Sequence, residues 1–180
     1  MNLPNKITLF RVILIPVFIV FMLVEAIPNN ETWALIVFCV ACLSDFIDGR
    51  IARKYKMITD FGKLMDPLAD KLVVCSALIC FVELRDSFAC WAAIIIIARE
   101  FTISAVRLLA ADNGVVIAAS KWGKVKTVVQ MFMCIAFIWD LDYEWFRITQ
   151  LSLMYLAVAL TVISLVDYII KNRKIFSNMK

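Results

Sequence analysis

The sequence predicts an all-α, polytopic membrane protein with six transmembrane helices and a short N-terminal interfacial helix, and three observations carry that expectation. Of the 180 residues 63% are hydrophobic, with a mean hydropathy of +0.88, an apolar share above that of soluble domains. Apolar runs near the length that crosses a hydrocarbon core, about 20 residues, recur at 8–25, 33–50, 66–84, 88–110, 122–139 and 148–170, with no soluble-sized segment between them. The 19 Lys and Arg residues, Arg85 and Arg147 excepted, all fall on alternate flanks of these runs. Such an asymmetry sets orientation in a bilayer.

The first run follows an amphipathic opening, Met1 to Arg11, and has no small-residue cleavage site at Glu25-Ala26-Ile27, so it reads as a retained helix. The second ends in an acidic and basic stretch, and the third opens on Asp66-Pro67, where proline is tolerated near a helix start. Arg99, Glu100 and Arg107 interrupt the fourth, Lys121, Lys124 and Lys126 open the fifth, and the sixth runs into a basic tail, Lys171 to Lys180. The poorly basic side instead carries Glu25, Glu31, Glu83, Asp86, Asp140, Asp142 and Glu144. By the positive-inside rule that side is outermost and both termini are cytoplasmic. Trp33, Trp91, Trp139, Tyr143 and Trp145 fall near the outer interface, and Tyr55, Trp122 and Tyr168 near the inner one. Residues 1–180 are expected to form a single membrane domain whose basic residues serve the lipid interface and not a nucleic acid.

The chain contains no histidine, so acid, base or metal chemistry must run on carboxylates. Its cysteines, Cys39, Cys42, Cys75, Cys80, Cys90 and Cys134, lie in apolar runs, where a thiol packs as a small hydrophobe. Cys39 and Cys42 make a C-x-x-C pair, and Cys75 and Cys80 would complete four sulfurs. Helices already stable in lipid need no zinc to order them, so core packing is the better account. All four glycines, Gly49, Gly62, Gly114 and Gly123, fall on the basic side. Gly114 reads as a loop turn, whereas Gly49 and Gly62 flank the most informative segment.

That segment places Asp45 and Asp48 before Gly49, Ala52 and Arg53, then Gly62, Asp66 and Asp70. Asp45, Asp48 and Ala52 are offset by three and four, and Gly62, Asp66 and Asp70 by four, so each set shares one helix face. An antiparallel hairpin points both faces at one cleft, with a basic cytoplasmic turn. Two carboxylates at 4 Å repel by about 4 kcal/mol at an effective dielectric near 20. Four therefore call for cations. Hard oxygen donors suit two Mg2+ or Mn2+ ions able to clamp a phosphate or pyrophosphate. The bland alternative is helix-end pairing with Arg50, Arg53 and Lys63, which leaves the repeated helical spacing unexplained. A cation transporter lined by the four acids is a further reading; their position at one end of the spans, with no comparable acid beyond, counts against it.

The string Asp45-x2-Asp48-Gly49-x2-Ala52-Arg53-x8-Gly62-x3-Asp66-x3-Asp70 resembles the signature of the CDP-alcohol phosphotransferase family at every specified position. The resemblance implies a six-helix, homodimeric membrane enzyme that displaces CMP from a CDP-linked substrate with an alcohol. It implies that Asp45, Asp48, Asp66 and Asp70 bind two divalent cations, with Asp70 also the base on the attacking hydroxyl. Gly49, Ala52 and Gly62 are then expected to leave room for the cytidine diphosphate, Arg53 to contact its phosphates, and Asn5 and Thr8 to border the nucleotide.

Arg99 and Arg107 lie eight positions apart, on one helix face. A buried arginine pair at membrane depth wants an anion, such as the phosphate of an acceptor, whereas Lys124, Lys126 and the C-terminal tail have snorkelling to anionic lipid as their default. Ala98-Arg99-Glu100-Phe101, Val106-Arg107, Ser120-Lys121-Trp122-Gly123-Lys124-Val125-Lys126-Thr127 and the opening Asn2-Leu3-Pro4-Asn5-x2-Thr8-x2-Arg11 resemble the bacterial branch of that family whose acceptor is glycerol 3-phosphate. The implied substrates are CDP-diacylglycerol and sn-glycerol 3-phosphate, the implied products phosphatidylglycerophosphate and CMP. Arg99, Arg107 and Lys121 are then expected to hold the acceptor phosphate, at the cytoplasmic side of a bacterial inner membrane. Phosphatidylglycerol, serine or an inositol phosphate as acceptor stays open at this stage.

Overall fold

The computed structural model describes the backbone of residues 3–55, 60–112 and 120–178 and, within it, the side chains of 7–44, 65, 68–111 and 120–173. Among the described residues all regular structure is helical: α1 (Leu3–Leu23), α2 (Asn30–Tyr55), α3 (Asp60–Leu84), α4 (Cys90–Asp112), α5 (Lys121–Trp139) and α6 (Glu144–Asn178). They group into two compact units, Met1–Arg85 and Asp86–Lys180.

The amphipathic opening is not a helix of its own, contrary to the expectation of a short interfacial helix. It is the first part of α1, which runs unbroken from Leu3 to Leu23. Pro4 occupies the first turn, where no N–H is needed, and no breaker follows until Pro16. In the first unit α1 packs on both α2 and α3 around Phe18, Phe38, Leu78 and Phe81, all buried. The rings of Phe18 and Phe38 lie 5.9 Å apart and those of Phe21 and Trp33 6.3 Å apart, which sets α1 antiparallel to α2. Arg85, just past the end of α3, donates to Glu31 in the first turn of α2 at 2.6 Å, and so sets α3 antiparallel to α2.

In the second unit α6 packs on α5 and α4. The α5–α6 turn closes on Asp140, a left-handed C-cap at φ 32° whose N–H returns to the Ala136 carbonyl. Gln150 of α6 donates to that carbonyl at 3.0 Å and to Asp140 Oδ1 at 2.7 Å, satisfying a buried amide at the helix end. Phe88 meets Phe137 edge to face at 4.9 Å. Tyr168 of α6 is buried against Ile103 and Ala110 of α4, with Val106 and Leu165 beside them.

Among the described residues, one helical stretch, Glu144–Arg173, is by length and composition long and apolar enough to cross a membrane, and Ile7–Leu23 and Asn30–Ser44 are shorter apolar helices. Charges divide the apolar surface of the others: α4 carries Arg99, Glu100 and Arg107, and α5 opens on Lys121, Lys124 and Lys126. Large apolar residues also cover outward faces, among them Ile148, Tyr155, Val162, Ile163 and Ile170 of α6.

Candidate functional site

Asp45 and Asp48 stand on the C-terminal half of α2, Asp66 and Asp70 on the N-terminal half of α3. The Glu31–Arg85 salt bridge fixes how these halves align. Counted from it at a rise of about 1.5 Å per residue, Asp45 lies about 21 Å along α2 and Asp70 about 22 Å along α3. Asp48 and Asp66 follow at about 26 and 28 Å. The four positions thus occupy one end of the helix pair, within about two turns of each other. Gly49, Ala52 and Arg53 continue α2, and Gly62 precedes Asp66 on α3, at that same end. Of Asp45, Asp48, Gly49, Ala52, Arg53, Gly62 and Asp66 only the backbone is described, as for Asn5 in the first turn of α1. The Asp70 side chain is half exposed, with one carboxylate oxygen 3.9 Å from Lys71 Nζ.

Thr8 and Arg11 of α1 are both 1% exposed. Continuing the register set by the Phe18–Phe38 and Phe21–Trp33 pairs brings them to the level of Asp45 and Asp48. A buried guanidinium is expensive away from anions, so its place at the acidic end is electrostatically consistent. Sequence reasoning treated Arg11 as one more basic flank. The signal for its burial was the spacing of three from Thr8, which puts both on one face of α1.

A second cluster forms within the other unit. Glu100 Oε1 accepts from Arg99 Nη1 at 3.0 Å and also from the ammonium of Lys126. Lys126 is 1% exposed, so it does not snorkel to lipid as expected; a carboxylate on α4 holds it inside. The Arg99 side chain is itself about nine-tenths buried. Its Nη2 would lie 3.6 Å from a Cβ added at Gly123, in the first turn of α5, so the guanidinium sits beside that helix start. There Ser120 caps α5 and accepts from the Gly123 N–H at 3.1 Å. Lys121, the first residue of α5, is exposed. Arg107 is exposed, two turns beyond Arg99 on α4, so the expected pair of buried arginines is one buried and one open to a ligand. One carboxylate answers Arg99 and Lys126 together, and Arg107, Lys121 and the positive end of α5 add to the excess. Among the described residues, positive charge therefore outweighs negative around the start of α5.

A family model described as CDP-alcohol phosphatidyltransferase matches residues 1–163. The chain belongs to the CDP-alcohol phosphatidyltransferase family. Within the family it is 42% identical to a Bacillus subtilis protein named CDP-diacylglycerol–glycerol-3-phosphate 3-phosphatidyltransferase, over 95% of each chain. It is 39% identical to the Haemophilus influenzae protein of that name, over 93% of this chain and 91% of the relative. An Escherichia coli protein of the same name is 38% identical over 93% of each. The CDP-alcohol phosphatidyltransferase model spans α1 to α5 and most of α6, and therefore both clusters.

Proposed function

We propose that this chain is a multi-pass membrane enzyme that transfers the phosphatidyl group of CDP-diacylglycerol to sn-glycerol 3-phosphate, giving phosphatidylglycerophosphate and CMP. The observation that carries the reading is the common level of Asp45, Asp48, Asp66 and Asp70 on antiparallel helices. The acceptor follows from relatives 38–42% identical that bear the name of this activity.

Oxygen donors alone, in a chain without histidine, fit a hard divalent cation. The four aspartates would hold two such ions, Mg2+ or Mn2+, which when bound neutralise phosphate charge and act as Lewis acids. The acceptor hydroxyl oxygen bonds to the phosphatidyl phosphorus, the bond from that phosphorus to the CMP oxygen breaks, and CMP departs with the electron pair. Asp70 takes the hydroxyl proton; its half-exposed carboxylate can pass that proton to water. Arg53 binds the donor diphosphate through its fork of donors. Gly49, Ala52 and Gly62 give the nucleotide room, and Asn5 and Thr8 border it. Arg99, Arg107 and Lys121 hold the acceptor phosphate.

The same reading makes 1–180 one membrane domain of six crossings and a homodimer, with both termini and the chemistry on the cytoplasmic side of a bacterial inner membrane. The test is CMP release from CDP-diacylglycerol by the purified protein with Mg2+, with and without glycerol 3-phosphate. Release should require both the metal and glycerol 3-phosphate, and Asp70→Asn should lower kcat by about 100-fold or more with the fold intact. Release with another alcohol only would overturn the acceptor. An isolable phosphatidyl-enzyme adduct would overturn direct displacement.

A further inference from the structure

Tyr168 packs between α4 and α6 but has so far been given no part in the chemistry. It is 4% exposed, and its hydroxyl is buried with no hydrogen-bond partner among the described residues. A buried hydroxyl without a partner costs about 1–3 kcal/mol, and a phenylalanine would fill the same space without that cost. Position suggests what the hydroxyl is for. The ring rests on Ile103 of α4, and Arg99 and Arg107 lie four residues to either side of Ile103, all three on one helix face. Both guanidiniums therefore belong to the face of α4 that the Tyr168 ring covers. Guanidinium groups have no acceptor to offer the phenolic proton. An anion held between them does.

We infer that Tyr168 is a further acceptor-binding residue, whose O–H donates a hydrogen bond to a phosphate oxygen of the phosphomonoester held by Arg99 and Arg107. This rests on the assignment of those arginines to the acceptor. The neutral donor adds direction where the cations add charge. A phosphate oxygen pointing at the α4–α6 contact is bound by a group that an acceptor without phosphate cannot use, so the hydroxyl also contributes to acceptor selectivity.

The decisive variant is Tyr168→Phe, which keeps the ring against Ile103, Val106, Ala110 and Leu165 and removes one oxygen. In detergent-solubilised full-length protein, KM for glycerol 3-phosphate should rise roughly tenfold or more, the loss expected for one hydrogen bond to a charged group. KM for CDP-diacylglycerol should stay the same and the thermal midpoint should hold or rise. Arg107→Ala is measured beside it. An unchanged KM in Tyr168→Phe with a raised one in Arg107→Ala would overturn the role of Tyr168 and leave the arginine assignment standing. If neither variant moves KM while release still requires glycerol 3-phosphate, both assignments fall. A rise in KM for CDP-diacylglycerol alone would place the hydroxyl on a lipid phosphate and overturn the inference.

Discussion

Lys126 and Asp70 are both charged side chains on predominantly apolar helices, and their surroundings demand different things of them. The Asp70 side chain is about half exposed and the Lys126 side chain only 2%. The spacing of the four aspartates was readable because a carboxylate repeated at helical period inside an apolar run has few structural explanations. The burial of Lys126 was not, because its partner Glu100 lies 26 positions away on another helix. In sequence it groups with Lys121 and Lys124; on the helix, Lys124 and Lys126 point to nearly opposite sides. The cluster makes an ordered prediction. Glu100→Gln leaves Arg99 and Lys126 facing no carboxylate and should cost about 3–5 kcal/mol. Lys126→Met leaves Glu100 still paired with Arg99 and should cost less than half as much. Thermal unfolding of the two variants in one detergent gives the order, and an equal or reversed loss would show that Glu100 does not hold both cations.

At the scale of elements, the six apolar runs announced the six described helices, while helix ends and the merging of the amphipathic opening into α1 were not legible. The sixth run was expected over 148–170, yet α6 extends over Glu144–Asn178. The apolar run stops where the hydrocarbon should, but a helix continues as long as its residues favour it, and lysine, arginine and asparagine after Ile170 do not break it. The register of α2 against α3 depends on Glu31 and Arg85, 54 positions apart, a pairing that no local pattern announces. The start of α5 offers a test of how local signals and site geometry combine. Ser120→Ala removes the acceptor of the Gly123 N–H and should cost about 1 kcal/mol. Gly123→Ala should stabilise the helix by up to about 1 kcal/mol. Its Cβ lies 3.5 Å from Ser120 Oγ and 3.6 Å from Arg99 Nη2, ordinary contacts. That same methyl covers one side of the guanidinium assigned to the acceptor phosphate, so KM for glycerol 3-phosphate should rise while the thermal midpoint does not fall. A lowered midpoint with unchanged KM would mean that the α5 start is packing alone.

For the whole molecule, the assigned roles divide between the two units: the aspartates and donor residues belong to Met1–Arg85, the acceptor residues to Asp86–Lys180. Whether six helices cross the bilayer turns mainly on α4. Its 23 residues hold Arg99, Glu100 and Arg107, and Arg99 lies about 14 Å from the helix start, near the middle of a hydrocarbon core about 30 Å thick. A lone charge at that depth costs about 2.5–3.5 kcal/mol on insertion scales. The bonds from Arg99 and Lys126 to Glu100 offset much of that, and Ile94 to Ile97 supply apolar surface, so α4 should cross. Thiol labelling decides it. Cys90, exposed at the first residue of α4, should react with a membrane-impermeant maleimide on intact cells. Asp112→Cys, at the last residue of α4, in a Cys90→Ser background should react only after permeabilisation. Reaction of both from outside would leave α4 on one side of the membrane, and the reverse pattern would turn the protein over and put the aspartates on the wrong side for a nucleotide made in the cytoplasm.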